Sequence, residues 1–372
     1  MKFLIISHVE HKLNGKTISA YAPYVREMNI WLKHVDEVHI VAPKISEKKN
    51  AIDLDYKHNN LNFKEVSSLE FTSIKKAFLS IYKIPLIIIT LFKACKRADH
   101  IHLRCPGNIG LLGCLVQIFF PHKLKTAKYA GNWDPKAKQP WSYKFQKRLL
   151  SNTFLTKKIT VLVYGDWKNQ SKNIKPFFTA TYSDNEKEPL KNRNYSKLLK
   201  FVFIGSLVKG KRPLLAIKIV EALYKKGKNI QLDIYGEGIL KEELQQYMVN
   251  NKLEGFVKIL GNKEKEIIKK TLKSAHFLIL PSKSEGWPKA IAEAMFFGVI
   301  PISTSMSCVP HMLDNGKRGI LIESELEKAV YKIENSLNDI EQLKLMSNNA
   351  LKWSQNYTLE TFEVEIMKLL KV

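Results

Sequence analysis

The sequence predicts an α/β protein of two domains, each organised on a parallel sheet. Three observations carry that prediction. Short apolar runs alternate with stretches of helical period through the first half of the chain. The same alternation restarts at Leu199. Between the two series lie residues 183–196, polar and without period, which read as a linker. A length of 372 residues accommodates two domains, and 45% hydrophobic with 26% charged residues is the composition of a soluble globular protein.

Residues 2–6 read as the first strand; the run is too short for a signal peptide and meets Glu10 soon after. A polar turn with Asn14, Gly15 and Lys16 follows. Tyr21, Tyr24, Val25, Met28, Trp31, Leu32 and Val35 then share one face at helical spacing, and residues 38–42 form the second strand. The segment 75–97 is the most hydrophobic of the chain, flanked by basic pairs and interrupted by Lys83 and Pro85. It reads as a buried helix pair, with an interfacial membrane helix as the alternative. No stretch is expected to reach the length of a membrane span. A strand over 100–104 runs into a helix start at 105–110, and a strand over 126–130 ends at Gly131.

The second half repeats the pattern: strand 199–204, helix 213–226, strand 230–235, helix 240–250, strand 256–260, helix 264–274. Two stretches in it carry chemistry. After the strand that ends at Gly205, a loop bears Lys209, Lys211 and Arg212, and Pro213 opens the next helix. Three cations beside a helix N-terminus suit a diphosphate, through backbone N–H groups and the positive end of the dipole. Each charge-assisted bond to phosphate is worth roughly 1.5–3 kcal/mol. Further on, the apolar run 277–280 precedes a loop with Glu285 and a helix from Pro288, with Glu293 about one and a half turns in. Both carboxylates can then face the crevice at the carboxyl end of a strand, where open α/β sheets bind ligands. Tyr235-Gly-Glu-Gly238 and Leu260-Gly-Asn262 add glycine turns after two more strands.

The Glu-x7-Glu spacing of Glu285 and Glu293 sits in a Ser-Glu-Gly-aromatic…Glu-Ala-Met context, ahead of Gly298-Val-Ile-Pro-Ile-Ser303. In this the chain resembles glycosyltransferase family 4. The resemblance implies the α/β GT-B fold: two facing Rossmann-like domains with parallel sheets, and a C-terminal helix that returns to the N-terminal domain. Expected bounds are 1–183 with 355–372 for the acceptor domain, and 197–354 for the donor domain. The resemblance implies a retaining, metal-independent transferase of the hexosyltransferase type, with a UDP- or GDP-sugar as donor and no cofactor. Lys211 would neutralise the leaving diphosphate and Glu285 would orient the donor sugar. Donor contacts are implied for Gly15, Gly205, Ser206, Lys209, Arg212, Gly236, Gly238, Gly261 and Asn262. They extend to Gly286, Trp287, Pro288 and Lys289 at the helix start, and to Glu293, which would accept from the ribose hydroxyls. Gly15 is equally explained by turn chemistry. Arg104, Asn108, Asn132 and Trp133, at strand ends of the first domain, are acceptor-side candidates. The chain departs from the family pattern at Ser206, where an arginine is expected, and in lacking a histidine near Gly131 and Asn132. Either Lys209 or Arg212 would supply the missing charge, or the donor would be held differently. Ser307, Cys308 and His311 stand where Gly-Gly and Glu are common, and receive no catalytic role.

A glycosidase is excluded by chemistry, since a cationic phosphate loop gains nothing from a neutral glycoside. Asp53-Leu-Asp55 is a formal D-x-D without the context of a metal site, and no metal is expected. The four cysteines form no C-x-x-C pair, in keeping with a reduced, cytoplasmic setting. The formal net charge is +25, with +20 of it in residues 1–200. That asymmetry is equally that of lysines solvating an Ile/Lys/Asn-rich chain or of an anionic partner surface; the second reading, with 75–97, leads to the inner face of a membrane and a glycan or lipid-linked acceptor of surface polysaccharide assembly. A basic binding protein for nucleic acid or membrane, and a GT-B epimerase or phosphorylase, are the alternative readings. No nucleic-acid motif is present, and no nucleic-acid partner is expected.

Overall fold

The computed structural model describes residues 1–15, 17–47, 49–50, 52–70 and 73–371. The chain divides into two compact units, 1–178 with 362–372, and 179–361.

The N-terminal unit contains β1 (Lys2–Ile6), β2 (His11–Asn14), β3 (Thr17–Tyr21), α1 (Ala22–Leu32), β4 (Glu37–Ala42), β5 (Lys44–Ile45), β6 (Asp53–Asp55) and β7 (Leu61–Glu65). It continues with α2 (Ile74–Arg97), β8 (His100–Cys105), α3 (Asn108–Val116), β9 (Leu124–Tyr129), α4 (Trp141–Ser151), β10 (Ile159–Val163) and β11 (Ile174–Pro176). Seven strands form one parallel sheet in the order β11-β10-β9-β8-β1-β4-β7. Strand order reverses at β1, between β4 and β8, which fixes a switch point at the carboxyl ends of β1 and β8. The buried run Phe3–Ile6 is apolar on every residue, as a strand covered on both faces must be. Helix α1 buries Tyr24, Val25, Met28, Trp31 and Leu32, while Tyr21, at the edge of the expected stripe, is exposed.

Three features differ from the sequence expectation. The turn at Asn14–Gly15 is the tip of a β2–β3 hairpin, part of a four-stranded mixed sheet in the order β5-β2-β3-β6; Lys16 of that turn lies outside the described residues. The hairpin is too short and too polar to announce itself by alternation. Segment 75–97 is one continuous helix, not a helix pair. Pro85 lies on its exposed face, where water can reach the carbonyl that loses its N–H partner, and Ser73 caps the N-terminus by accepting from Lys76 N. By length and composition Phe78–Arg97 is also sufficient to cross a membrane, contrary to expectation. Its inner face nonetheless buries Ile87, Leu91 and Cys95 in the core of the unit.

The C-terminal unit contains β12 (Leu199–Ile204), α5 (Pro213–Lys225), β13 (Ile230–Tyr235), α6 (Lys241–Asn250), β14 (Val257–Ile259), α7 (Lys265–Ser274), β15 (Phe277–Leu280) and α8 (Lys289–Phe296). Then follow β16 (Ile300–Thr304), α9 (Val309–Met312), β17 (Ile320–Ile322), α10 (Leu326–Leu337), α11 (Ile340–Ser354) and α12 (Leu359–Leu370), whose last residues from Phe362 belong to the N-terminal unit. There Phe362 packs on Phe177 and Phe178. The sheet is six-stranded and parallel, β14-β13-β12-β15-β16-β17. Its order reverses at β12, so the switch point lies at the carboxyl ends of β12 and β15.

The expected linker 183–196 is part of the C-terminal unit, and the first crossing between units falls at Phe178 instead. Its polar side chains are anchors. Glu186 pairs with Lys269 at 2.7 Å, and Arg193, only 8% exposed, donates to the carbonyls of Ala275 at 2.6 Å and Phe297 at 2.7 Å. A guanidinium that satisfies buried carbonyls costs far less than one left without partners, so a charged residue serves here as a staple.

Candidate functional site

The loops that leave β12 and β15 meet at the switch point of the C-terminal unit. Between β12 and α5, Lys211 N donates to Val208 O, and Lys283 N of the other loop donates to Gly210 O at 2.8 Å, which ties the two loops together. Arg212 is the N-cap of α5 with φ +52°, a left-handed conformation that costs a residue with a Cβ about 1–2 kcal/mol. Pro213 follows as the first helical residue. Lys209 is exposed, and Ser206 is exposed beside it.

This arrangement places Lys211 against Glu285, 74 positions apart in sequence. The Lys211 Nζ donates to both oxygens of Glu285, at 2.6 and 2.8 Å. The Glu285 side chain is buried at 6% exposed and that of Lys211 is 29% exposed, so the pair stands at the mouth of the loop cluster with its cation open to solvent. The bidentate grip fixes the ammonium close to the N-terminal end of α5. Each carboxylate oxygen keeps a second lone pair for a hydroxyl donor. The Glu285 loop is itself held: Cys308 Sγ donates to Gly286 O at 2.9 Å, and Thr304 Oγ1 donates to Ser282 O. Burial pushes the Cys308 thiol up to about 12, with the Glu285 charge adding to the effect, so it is a protonated donor here and not a nucleophile.

Three glycine turns complete the carboxyl edge. Gly205 N donates to Tyr235 O and Gly236 N to Gly261 O, both at 3.0 Å. A Cβ on Gly236 would lie 1.9 Å from Gly205 O, so only glycine allows the two loops to touch. We expect Gly236→Ala to cost on the order of 3 kcal/mol or more. The check is a lowered urea midpoint, and an unchanged midpoint would refute the close approach. Gly238, Gly261 and Asn262 lie in the same set of loops.

Other residues implied as donor contacts are placed differently. Glu293 lies in the second turn of α8 and accepts from Thr181 Oγ1 at 2.8 Å, tying α8 to the first residues of the unit. Trp287 is buried against Trp353 and Tyr357, so its ring is packing for the loop that carries Glu285. Pro288 is the N-cap of α8, one residue before the helix proper, and Lys289 is the first helical residue. Gly15, at a hairpin tip of the N-terminal unit, has φ +58°, and a Cβ added there would meet nothing within 4 Å, so it answers to turn chemistry.

The acceptor-side candidates all lie at the carboxyl edge of the N-terminal sheet; Trp133 is buried, and Arg104, Asn108 and Asn132 are half-buried. Trp133 is 2% exposed, edge-on to Tyr129, and donates to Gln170 Oε1 at 2.9 Å. Asn132 Oδ1 accepts from Asp134 N, and Asn108 Nδ2 donates to Leu69 O. Arg104 lies 5.0 Å over the Tyr24 ring and 3.8 Å from Glu27. Sequence reasoning missed His8, the first residue past Ser7 at the switch point of this unit. Its ring lies 2.6 Å from where a Cβ on Gly107 would be, at the N-terminus of α3. Burial first, then the Arg104 charge, lowers its pKa, so the imidazole is neutral near pH 7. Its position directly after the first strand was the available signal. Asp53 and Asp55, the formal D-x-D, lie on β6 and pair with Lys12 at 2.9 Å and Lys49 at 2.7 Å.

These two parallel sheets define the class. The fold is GT-B, with two Rossmann-like units. It aligns over its whole length with the UDP-glucose complex of Anabaena Alr3699/HepE (TM-score 0.68, 14% identity, 100% of this chain and 99% of that one). Residues 184–353 match the family described as Glycosyl transferases group 1. Among curated relatives, the chain is 31% identical over 172 residues to a Campylobacter jejuni protein. That protein is the GalNAc-alpha-(1->4)-GalNAc-alpha-(1->3)-diNAcBac-PP-undecaprenol alpha-1,4-N-acetyl-D-galactosaminyltransferase, and the match covers 45% of this chain and 47% of that one. It is also 31% identical over 129 residues to the amylovoran biosynthesis glycosyltransferase AmsK of Erwinia amylovora, covering 33% and 32%. The chain thus spans about half or less of the length of these curated relatives.

Proposed function

We propose that the protein is a retaining glycosyltransferase of the family 4 type, which moves a hexosyl group from a UDP- or GDP-sugar to a glycan or lipid-linked acceptor in polysaccharide assembly. The observation that carries this reading is the Lys211–Glu285 pair at the switch point of the C-terminal unit. The matched group 1 segment and the relatives that build bacterial polysaccharides support it.

In this reading the C-terminal unit holds the donor. The diphosphate sits at the start of α5, on backbone N–H groups and beside Lys211, with Lys209 and Arg212 in place of the arginine absent at Ser206. Glu285 accepts hydrogen bonds from sugar hydroxyls and holds the Lys211 ammonium toward the leaving oxygen. The bond from the anomeric carbon to the diphosphate breaks as the acceptor oxygen bonds the same carbon from the same face. The acceptor proton passes to the departing phosphate oxygen. Lys211 and the helix dipole stabilise charge that grows in the transition state, so no metal is assigned to the step. The N-terminal unit recognises the acceptor, and the setting is cytoplasmic.

The test is a thermal-shift screen against UDP- and GDP-sugars, followed by product analysis with glycan acceptors. A nucleotide sugar that raises the midpoint and yields a transfer product with retained anomeric configuration is the expected result. No stabilisation by any nucleotide sugar overturns the reading. Epimerised donor without acceptor, or sugar phosphate formed with inorganic phosphate, replaces it with the epimerase or phosphorylase alternative.

A further inference from the structure

Helix α2 is apolar on two faces. The inner one is consumed by the core, through Ile87, Leu91 and Cys95. The outer one is not: Phe78, Tyr82, Leu86, Ile89 and Phe92 follow at helical spacing and are 41–72% exposed. Phe119, 70% exposed, continues the patch beside Phe92, with ring centroids 6.1 Å apart. Large apolar side chains collected in this way on one face are rare on a soluble surface and mark a contact with another apolar phase.

The charges around the patch select that phase. Helix α2 carries Lys75, Lys76, Lys83, Lys93, Lys96 and Arg97 and no acidic residue. Only Lys76 is paired, with Glu70, among the ion pairs of the described residues. A groove of about 700 Å³ runs along the helix, with Leu86 and Ile89 in its wall and Lys64, Lys93 and Arg97 at its rim. The acid in this groove, Glu37, is occupied by His39 at 2.6 Å and Lys2 at 3.6 Å. The N-terminal unit as a whole holds 32 Lys and Arg against 14 Asp and Glu. A second copy of the chain on this face would set one cationic helix against another, and neither helix carries an acid to offset the repulsion. An anionic bilayer offers an apolar interior for the aromatic and aliphatic side chains and phosphates for the lysines.

We propose that α2 is a membrane-docking helix, lying in the plane of an anionic phospholipid surface with Phe78, Tyr82, Leu86 and Ile89 inserted below the headgroups. It does not cross the bilayer, because its inner face belongs to the core of the N-terminal unit. Basic residues are attracted to such a surface, and salt screens the attraction. The proposal rests on the surface of α2 and not on the reaction assigned above.

The test is co-sedimentation of the full chain with large unilamellar vesicles of two compositions. One is pure phosphatidylcholine; the other carries about 30% phosphatidylglycerol, which gives the surface a strongly negative potential. Binding at least about tenfold tighter to the anionic vesicles, and weakened by high salt, is expected. Tyr82→Ser with Leu86→Ser and Ile89→Ser should reduce it at least about tenfold. Lys83→Glu with Lys93→Glu should do the same. All these side chains are exposed, so thermal midpoints should stay unchanged, which separates lost docking from lost folding. Equal binding to both vesicle types, or wild-type binding by both variants, overturns the proposal. So does a dimer in solution that the triple serine variant dissociates, since the face would then be a protein interface. Nucleotide-sugar stabilisation, measured on the same variants, fails or survives independently.

Discussion

Lys211→Ala is expected to lower kcat/KM for sugar transfer by roughly 10²–10³-fold, the loss of about 3–4 kcal/mol of transition-state stabilisation. The ammonium is the cation that both oxygens of Glu285 hold in place, and its removal leaves a buried carboxylate without its counter-charge. Lys211→Arg should retain part of the rate, because the charge survives while the point-like geometry does not. Glu285→Gln should lose activity to a comparable degree, since it frees Lys211 and weakens the acceptor for sugar hydroxyls. Steady-state kinetics with the donor found in the thermal screen give the result. Rates for Lys211→Ala indistinguishable from wild type would remove the diphosphate role. Donor binding should fall less than turnover, because in the proposed step Lys211 meets charge that grows only in the transition state.

Both units are expected to lose stability as pH falls from about 6.5 to about 4, largely before most carboxylates titrate. Burial holds His11 and His100 in the N-terminal unit, and His276 in the C-terminal unit, down to about 4. All three are under a tenth exposed. The unfolded chain takes up these protons near pH 6.5, while the native chain refuses them until about pH 4. Stability is therefore intact above about 6.5 and falls as pH drops through the window between the two values. Each histidine contributes a loss of about 3 kcal/mol by the lower end. Urea midpoints measured from about pH 7 to about pH 4 should fall steeply across that window. His276 offers a control: its Nδ1 accepts from Lys200 N, so His276→Asn keeps an acceptor and removes the titration. A flatter slope for that variant is the expected outcome, and an unaltered slope would mean that His276 titrates normally.

How much of this was legible in the sequence depends on the range of the interaction concerned. The parallel sheets were legible because burial on both faces writes itself as continuous apolar runs, such as residues 3–6 and 277–280. The Lys211 loop and the Glu285 loop were legible because each lies at a strand end marked by glycine or proline. Helix α2 was legible as hydrophobic, yet one side chain in a sequence does not declare which phase it faces. Only packing on the sheet divided its residues into a buried face and an exposed one.

The sequence by itself determined the two-domain α/β class, the alternation of elements and the residue types gathered at the strand ends. Tertiary structure decided their partners. It joined Lys211 to Glu285 across 74 residues, turned Trp133 and Trp287 into packing, made anchors of Glu186 and Arg193, and put His8 against Gly107. The physical reason is that strand order, and with it the switch point, is set by long-range pairing. Local propensity shows that β12 and β15 exist, and only their pairing side by side makes the loops that follow them one site.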